Sequence, residues 1–411
     1  MPILLEEDLQ RPLPRMYRVR QQFDEIRLED VAGTVRAELA KPEIRALVKP
    51  GMRIAVGVGS RGIQNLYTIV ETTVNSLKEL GAEPFIVSAM GSHGGGTEEG
   101  QREVLAGYGI TEERLGVPVV TTVDTVYLGN CANGRPVWFD RAAYEADLIV
   151  PINRVKLHTD FVGPIQSGLC KMLVIGLGNH KGCSAVHEEA PEVFADAIEE
   201  TVRLILQKAP VGFGIAILEN AYDKTYAVEA VPAEHLVERE KELVQIAKGN
   251  MPYIMLDEAD VIVCGAIGKD ISGAGFDPNI LGRSSVLKQF VLHIPRYQRL
   301  VLCDVTPASH GNGIGVGLFD VITKKVAEQL DLESMYANAI ACNCLGDASV
   351  PCTVDDEETA IRVALKCCRN IDRDHPRIIR IQNTLHLGEI EVSEALLDAV
   401  RADSRMSLIE N

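Results

Sequence analysis

Six side chains able to gain or lose a proton, three lysines and three histidines, fall within one stretch of 32 residues: Lys156, His158, Lys171, His180, Lys181 and His187. Glycines and small residues separate them, as in Gln166-Ser-Gly-Leu-Cys170-Lys171 and Gly176-Leu-Gly-Asn-His180-Lys181-Gly182. Glycine lets the backbone approach a ligand closely, and few purely structural roles place so many titratable groups beside it. A Gly91-Ser-His-Gly-Gly-Gly-Thr97 loop and a Gly268-Lys269-Asp270 element add to this stretch. Together they point to an enzyme.

In the 91–97 loop, Gly94, Gly95, Gly96 and Thr97 would direct backbone N–H groups at an anion, helped by the helix N-terminus that follows. The pattern is neither the dinucleotide G-x-G-x-x-G nor the P-loop. A tight connection with an exposed histidine is the plainer reading, but His93 at its centre is free to reach a ligand and is taken as catalytic. His158 follows a strand. Alone it is as well explained as a solvated loop residue; paired with His93 it gives two imidazoles for one ligand, the arrangement that racemisation needs, with one proton acceptor and one donor near neutrality.

Lys171 has apolar neighbours, and a partly buried amine is unfavourable unless paired or chemically used. A lysine snorkelling from a helix is the alternative. His187 is a candidate metal ligand, since neutral imidazole suits nickel, copper, zinc and iron. No histidine lies three or four residues from it, so no all-protein metal site is visible. His180 and Lys181 read equally as surface residues. Lys269, at the end of a strand, suits a substrate carboxylate or is a solvated loop lysine. His310 lies in a second glycine loop that is more simply structural.

The elements that must position these groups alternate strand and helix. Strands are expected at 53–58, 84–89 and 148–152, with a helix over 66–80 and a helix start capped by Thr97. The pattern restarts beyond about residue 252, with strands at 260–267, 299–305 and 377–381 and helices near 317–331 and 356–369. The acidic run at 355–358 reads as a solvated helix start. Two domains are expected, 1–252 and 253–411, each α/β with a mostly parallel sheet. Ligands sit beyond the carboxyl ends of the strands in such sheets, and every loop of interest follows a strand.

A net charge of −17 argues against nucleic acid or an anionic membrane as partner. The sequence has no transmembrane run and no secretory signal, and its ten cysteines, without a C-x-x-C, read as reduced thiols; a cytoplasmic protein is expected. The partner is then a small molecule, with a homo-oligomer left open.

These residues resemble the nickel-pincer lactate racemase family, and more closely its branch of 2-hydroxyacid racemases and epimerases. In that family a lysine tethers a pyridinium-3,5-bisthiocarboxylic acid mononucleotide covalently, and a histidine sixteen residues later binds its nickel. Lys171 and His187 have that spacing. The resemblance implies that His93 and His158 are the two catalytic histidines and that Lys269 binds substrate. It also implies two α/β domains with the active site in the cleft between them. By the family mechanism one histidine takes the hydroxyl proton while the C2 hydride moves to the cofactor, and the 2-keto acid is reduced from its other face. A purified apo sample can lack the cofactor. Lactate racemases carry an Asp-x-x-Arg element after the first strand; this chain has Gly59-Ser60-Arg61-Gly62-Ile63-Gln64-Asn65. Arg61 takes the carboxylate-binding role from a shifted position. Ser60, Gln64 and Asn65 suit a longer, polyhydroxylated acid. Two other readings stand beside this one: a zinc hydrolase or lyase using His158, His180 and His187, and a non-catalytic protein that binds the cofactor or a sugar acid.

Overall fold

The computed structural model describes residues 3–59 and 62–410. The chain forms two compact units, Asp24–Met251, and Met1–Phe23 together with Pro252–Asn411. The first strand, β1 (Met16–Gln21), therefore belongs to the second unit.

In the unit Asp24–Met251 the main sheet is built from β2 (Arg53–Val58), β3 (Glu83–Ser88) and β4 (Val119–Val120). A separate hairpin, β5 (Thr125–Asn130) and β6 (Pro136–Asp140), precedes its remaining strands, β7 (Leu148–Arg154), β8 (Phe213–Glu219) and β9 (Thr225–Pro232). The strand order is β4-β3-β2-β7-β8-β9, parallel throughout except for β9. Strands β2 and β3 are buried from their second residue onward, as the unbroken runs Ile54–Val58 and Pro84–Ser88 require of strands covered on both faces. The helix Leu66–Glu79 buries Leu66, Ile69, Val70, Val74 and Leu77 at the three-to-four spacing of one helical face. These pack with Ile54, Val56, Val58 and Ile86 of the sheet in one core. Each such side chain contributes roughly 1.5–3 kcal/mol by leaving water.

The second unit holds β10 (Val261–Cys264), β11 (Arg299–Leu302), β12 (Val321–Thr323), β13 (Cys352–Val354), β14 (Ile378–Ile381), β15 (Glu389–Ser393) and β16 (Met406–Leu408). Its order is β13-β12-β11-β10-β14-β15-β1-β16, a parallel core of five strands extended by three antiparallel ones. The helix expected near 317–331 is replaced by β12 followed by the short helix Lys324–Gln329, which Thr323 caps by accepting the Val326 N–H. Val321 and Ile322 fill the gap between β11 and β13, so tertiary pairing overrides the helical pattern. Asp356 caps the helix Glu357–Lys366 through the Thr359 N–H at 2.7 Å, so the acidic run is a helix start. All ten cysteines are free, and no helix among the described residues is long and apolar enough to cross a membrane.

Candidate active site

Strands β3, β2 and β7 are neighbours, and the chain leaves the carboxyl end of each into the segments that the sequence singled out. The loop after β3 is held from beneath by buried Gln101. Its side-chain N–H donates to the Gly91 carbonyl at 3.2 Å, and its oxygen accepts the Ser88 hydroxyl at 2.6 Å. Gly91 has φ +61°, and a Cβ there would lie 2.9 Å from the Ile175 carbonyl oxygen and 3.6 Å from Cys183 Cβ. Its N–H donates to the Gly176 carbonyl at 3.0 Å. The loop is thereby seated on the 169–187 segment, with Ser92 and His93 exposed. Gly94, Gly95 and Gly96 all have positive φ. Thr97 accepts the Gly100 N–H and donates to the Gly94 carbonyl, each at 3.1 Å, so its hydroxyl serves the start of the helix Glu98–Gly107.

The segment after β7 carries His158. Its backbone N–H donates to the Gln166 side chain at 2.7 Å, and its Nδ1 accepts the Asp160 N–H at 3.0 Å. Its other ring nitrogen, Nε2, is in contact with the Lys171 amine. The ring stacks on Phe161 with centroids 4.3 Å apart; Phe161 meets Phe194 at 4.8 Å, and Phe194 meets the His187 ring at 5.0 Å. A continuous line of rings thus connects His158 to His187.

Lys171 ends the short helix Leu169–Lys171, which runs on into a wider turn over Met172–Gly176. The Leu177 N–H closes that turn on the Met172 carbonyl, five residues back, at 2.8 Å. The helix Asn179–His187 follows, and Asn179 (φ +50°) is anchored by a 2.9 Å bond to buried Asp140. At its last residue, His187 Nδ1 donates to the Cys183 carbonyl at 2.7 Å. That bond fixes the tautomer with a free lone pair on Nε2. The Cys183 thiol lies 3.5 Å from the same Nδ1. Desolvation of the ring edge works to lower the His187 pKa, but the bond to Cys183 and the charge on its sulfur outweigh it and raise the pKa. For Cys183, burial works upward and is likewise outweighed, so its pKa is lowered. His180 and Lys181 are exposed: the His180 ring lies against Gly96, and the Lys181 amine sits 3.3 Å from the Trp138 ring centroid.

Lys269 stands in the other unit, after β10. Its backbone N–H donates to the Ser309 hydroxyl at 2.8 Å, its amine donates to the Gly273 carbonyl at 2.7 Å, and the amine also contacts the Asn338 side chain. His310 is exposed, with φ +47° at the end of a short turn. Arg61, with Ser60, lies outside the described residues. Asn65 directs its amide to the Thr225 hydroxyl at 3.0 Å, so that group is engaged by the fold.

The sequence reading passed over Phe161, Phe194 and Cys183, and also Glu240. The signal for Glu240 was present: it falls on the apolar stripe of the helix Leu236–Asn250, beside Leu236, Leu243, Val244 and Ala247, and it is fully buried. Burial pushes its carboxyl from the usual 4.5 up to about 7, against the hydrogen bonds it accepts from the Cys170 and Leu169 N–H groups. Between pH 4.5 and 7 the folded chain therefore keeps a proton that the unfolded chain releases, and stability falls as pH rises through that window. The Glu240→Gln variant lacks this dependence. Its stability relative to the parent, from urea unfolding, is expected to rise by on the order of 3 kcal/mol from pH 4.5 to 8. A difference that stays flat with pH would contradict the assignment.

Residues 15–196 match the family model of the lactate racemase N-terminal domain. The fold is similar to that of the lactate racemase apoprotein from Thermoanaerobacterium thermosaccharolyticum, at a TM-score of 0.55 and 12% identity, covering 90% of this chain and 99% of that one. A protein from Thermotoga maritima aligns at a TM-score of 0.46 and 14% identity, over 66% of this chain and 70% of that one, too distant to carry an argument. No curated protein sequence matches the chain.

Proposed function

We propose that the chain is a nickel-pincer-dependent racemase or epimerase acting at C2 of a 2-hydroxyacid, a sugar acid being one candidate. The observation that carries this reading is the Lys171 amine set against His158 Nε2, in a segment whose far end presents a tautomer-fixed imidazole at His187.

The residues fit such a group. Lys171 is partly exposed, so its amine is available for covalent attachment. His187 is exposed and offers Nε2 as a donor. Among the described residues no cluster of three or more His, Cys, Asp or Glu could hold a metal, so an ion at His187 would take its other donors from a bound group. When bound, the nickel-pincer nucleotide supplies the acceptor and donor for the C2 hydrogen. The chain's own work is proton transfer and positioning. His158 takes or returns the substrate hydroxyl proton at Nε2, with Asp160 and Phe161 fixing the ring. His93 does the same from the loop after β3. Gly94, Gly95, Gly96 and Thr97 line the cofactor side, and Arg61 takes the substrate carboxylate.

The test is turnover of a 2-hydroxyacid panel in D2O, after expression with the cofactor-synthesis enzymes. The reading expects the product epimer to retain its original hydrogen at C2. Incorporation of solvent deuterium at C2 would mean proton abstraction from carbon and would sink the hydride mechanism.

A further inference from the structure

The Lys171 turn is held by a residue from a distant helix. Glu240 is completely buried on the apolar stripe of the helix Leu236–Asn250. Its Oε2 accepts the Cys170 N–H at 3.0 Å, and the Leu169 N–H also bonds to the carboxyl. These are N–H groups of the first turn of the helix that Lys171 completes, which have no partner within the helix itself. Gly168, just before it, makes room for the acid: a Cβ there would lie 2.5 Å from the carboxyl carbon and Oε2. The Gly168 carbonyl is held in turn by the Asn153 side chain at 2.8 Å, from the end of β7.

The acid is an expensive choice for this position. Its Oε1 has no hydrogen-bond partner, and a buried, half-satisfied carboxyl is destabilising where leucine would complete the stripe. Stability therefore does not account for it, whereas the geometry of the turn does. We propose that Glu240 is a positioning residue for Lys171: by fixing the Leu169 and Cys170 N–H groups it sets the direction in which the lysine amine is projected toward His158. This rests on the reading of Lys171 as the attachment residue, but it concerns the apo chain and can fail separately.

The experiment labels the apo protein with a limiting amine-reactive ester and follows Lys171 by peptide mass spectrometry, with exposed Lys325 as the internal reference. Glu240→Leu is expected to fold at least as stably as the parent, yet to be labelled at Lys171 about tenfold more slowly, because the amine loses its placement against the imidazole. Glu240→Gln keeps a carbonyl oxygen for the two N–H groups and can turn its NH2 toward the unpartnered side. It is expected to restore labelling to within about twofold of the parent. If the leucine variant does not fold, Glu240→Asp decides, since a carboxyl shorter by one methylene cannot reach both N–H groups and slows Lys171 several-fold. Parent-like labelling of Lys171 in the leucine or aspartate variant would overturn the proposal. So would slowing that affects Lys325 equally, which would report general loosening. Labelling is independent of the cofactor, so a chain in which Lys171 is not the attachment residue would still give a clear result for Glu240.

Discussion

Interconversion of the two epimers should fall by roughly 10²–10⁴-fold in both directions when His158 is replaced by alanine. The reason is positional. The ring is clamped by the Asp160 N–H on Nδ1 and by Phe161 on its face, so Nε2 is the nitrogen presented beside Lys171. His93→Ala should lose both directions equally, because every turnover needs one group to accept the hydroxyl proton and another to supply one. Kinetics of the two variants from each epimer, with melting temperatures as the control for folding, check this. A variant that racemises at the normal rate would contradict the two-histidine scheme.

The second large effect separates Lys171 from His187. In protein produced with the cofactor-synthesis enzymes, Lys171→Ala should show no covalent adduct. His187→Ala should keep the adduct but lose bound nickel. The separation follows from the fold: the two residues lie at opposite ends of the 169–187 segment, each with its own anchors, Glu240 for the first and the Cys183 carbonyl for the second. Intact mass and metal analysis of the purified variants measure both quantities. Normal adduct and normal nickel in either variant would remove that residue from its role.

Much of the frame was legible before the structure. The buried parallel strands appear as short apolar runs that end in glycine or polar loops, and β2, β3, β7, β10, β11 and β14 all fall within the runs expected, to within a residue or two at the ends. The cap by Thr97 and the helix start at Asp356 were visible because capping depends on local chemistry. β12 was not visible: three residues inside a helical pattern become a strand only because neighbours on both sides complete the sheet. Nor does anything local in Met16–Gln21 indicate pairing with β15 and β16 near the other end of the chain. In the candidate site, the histidines and lysine stand out by type and spacing. What connects them was missed, because Phe161 and Phe194 resemble ordinary core residues and Glu240 resembles one more acid in Glu238-Arg-Glu-Lys-Glu242.

The central claim is that Lys171 carries the cofactor, and peptide mapping of the parent protein made with the cofactor-synthesis enzymes tests it most directly. The expected result is a mass increase confined to the peptide containing Lys171, with about one nickel per chain in the undigested protein. An unmodified Lys171 peptide in a sample that nevertheless racemises its substrate would contradict the account.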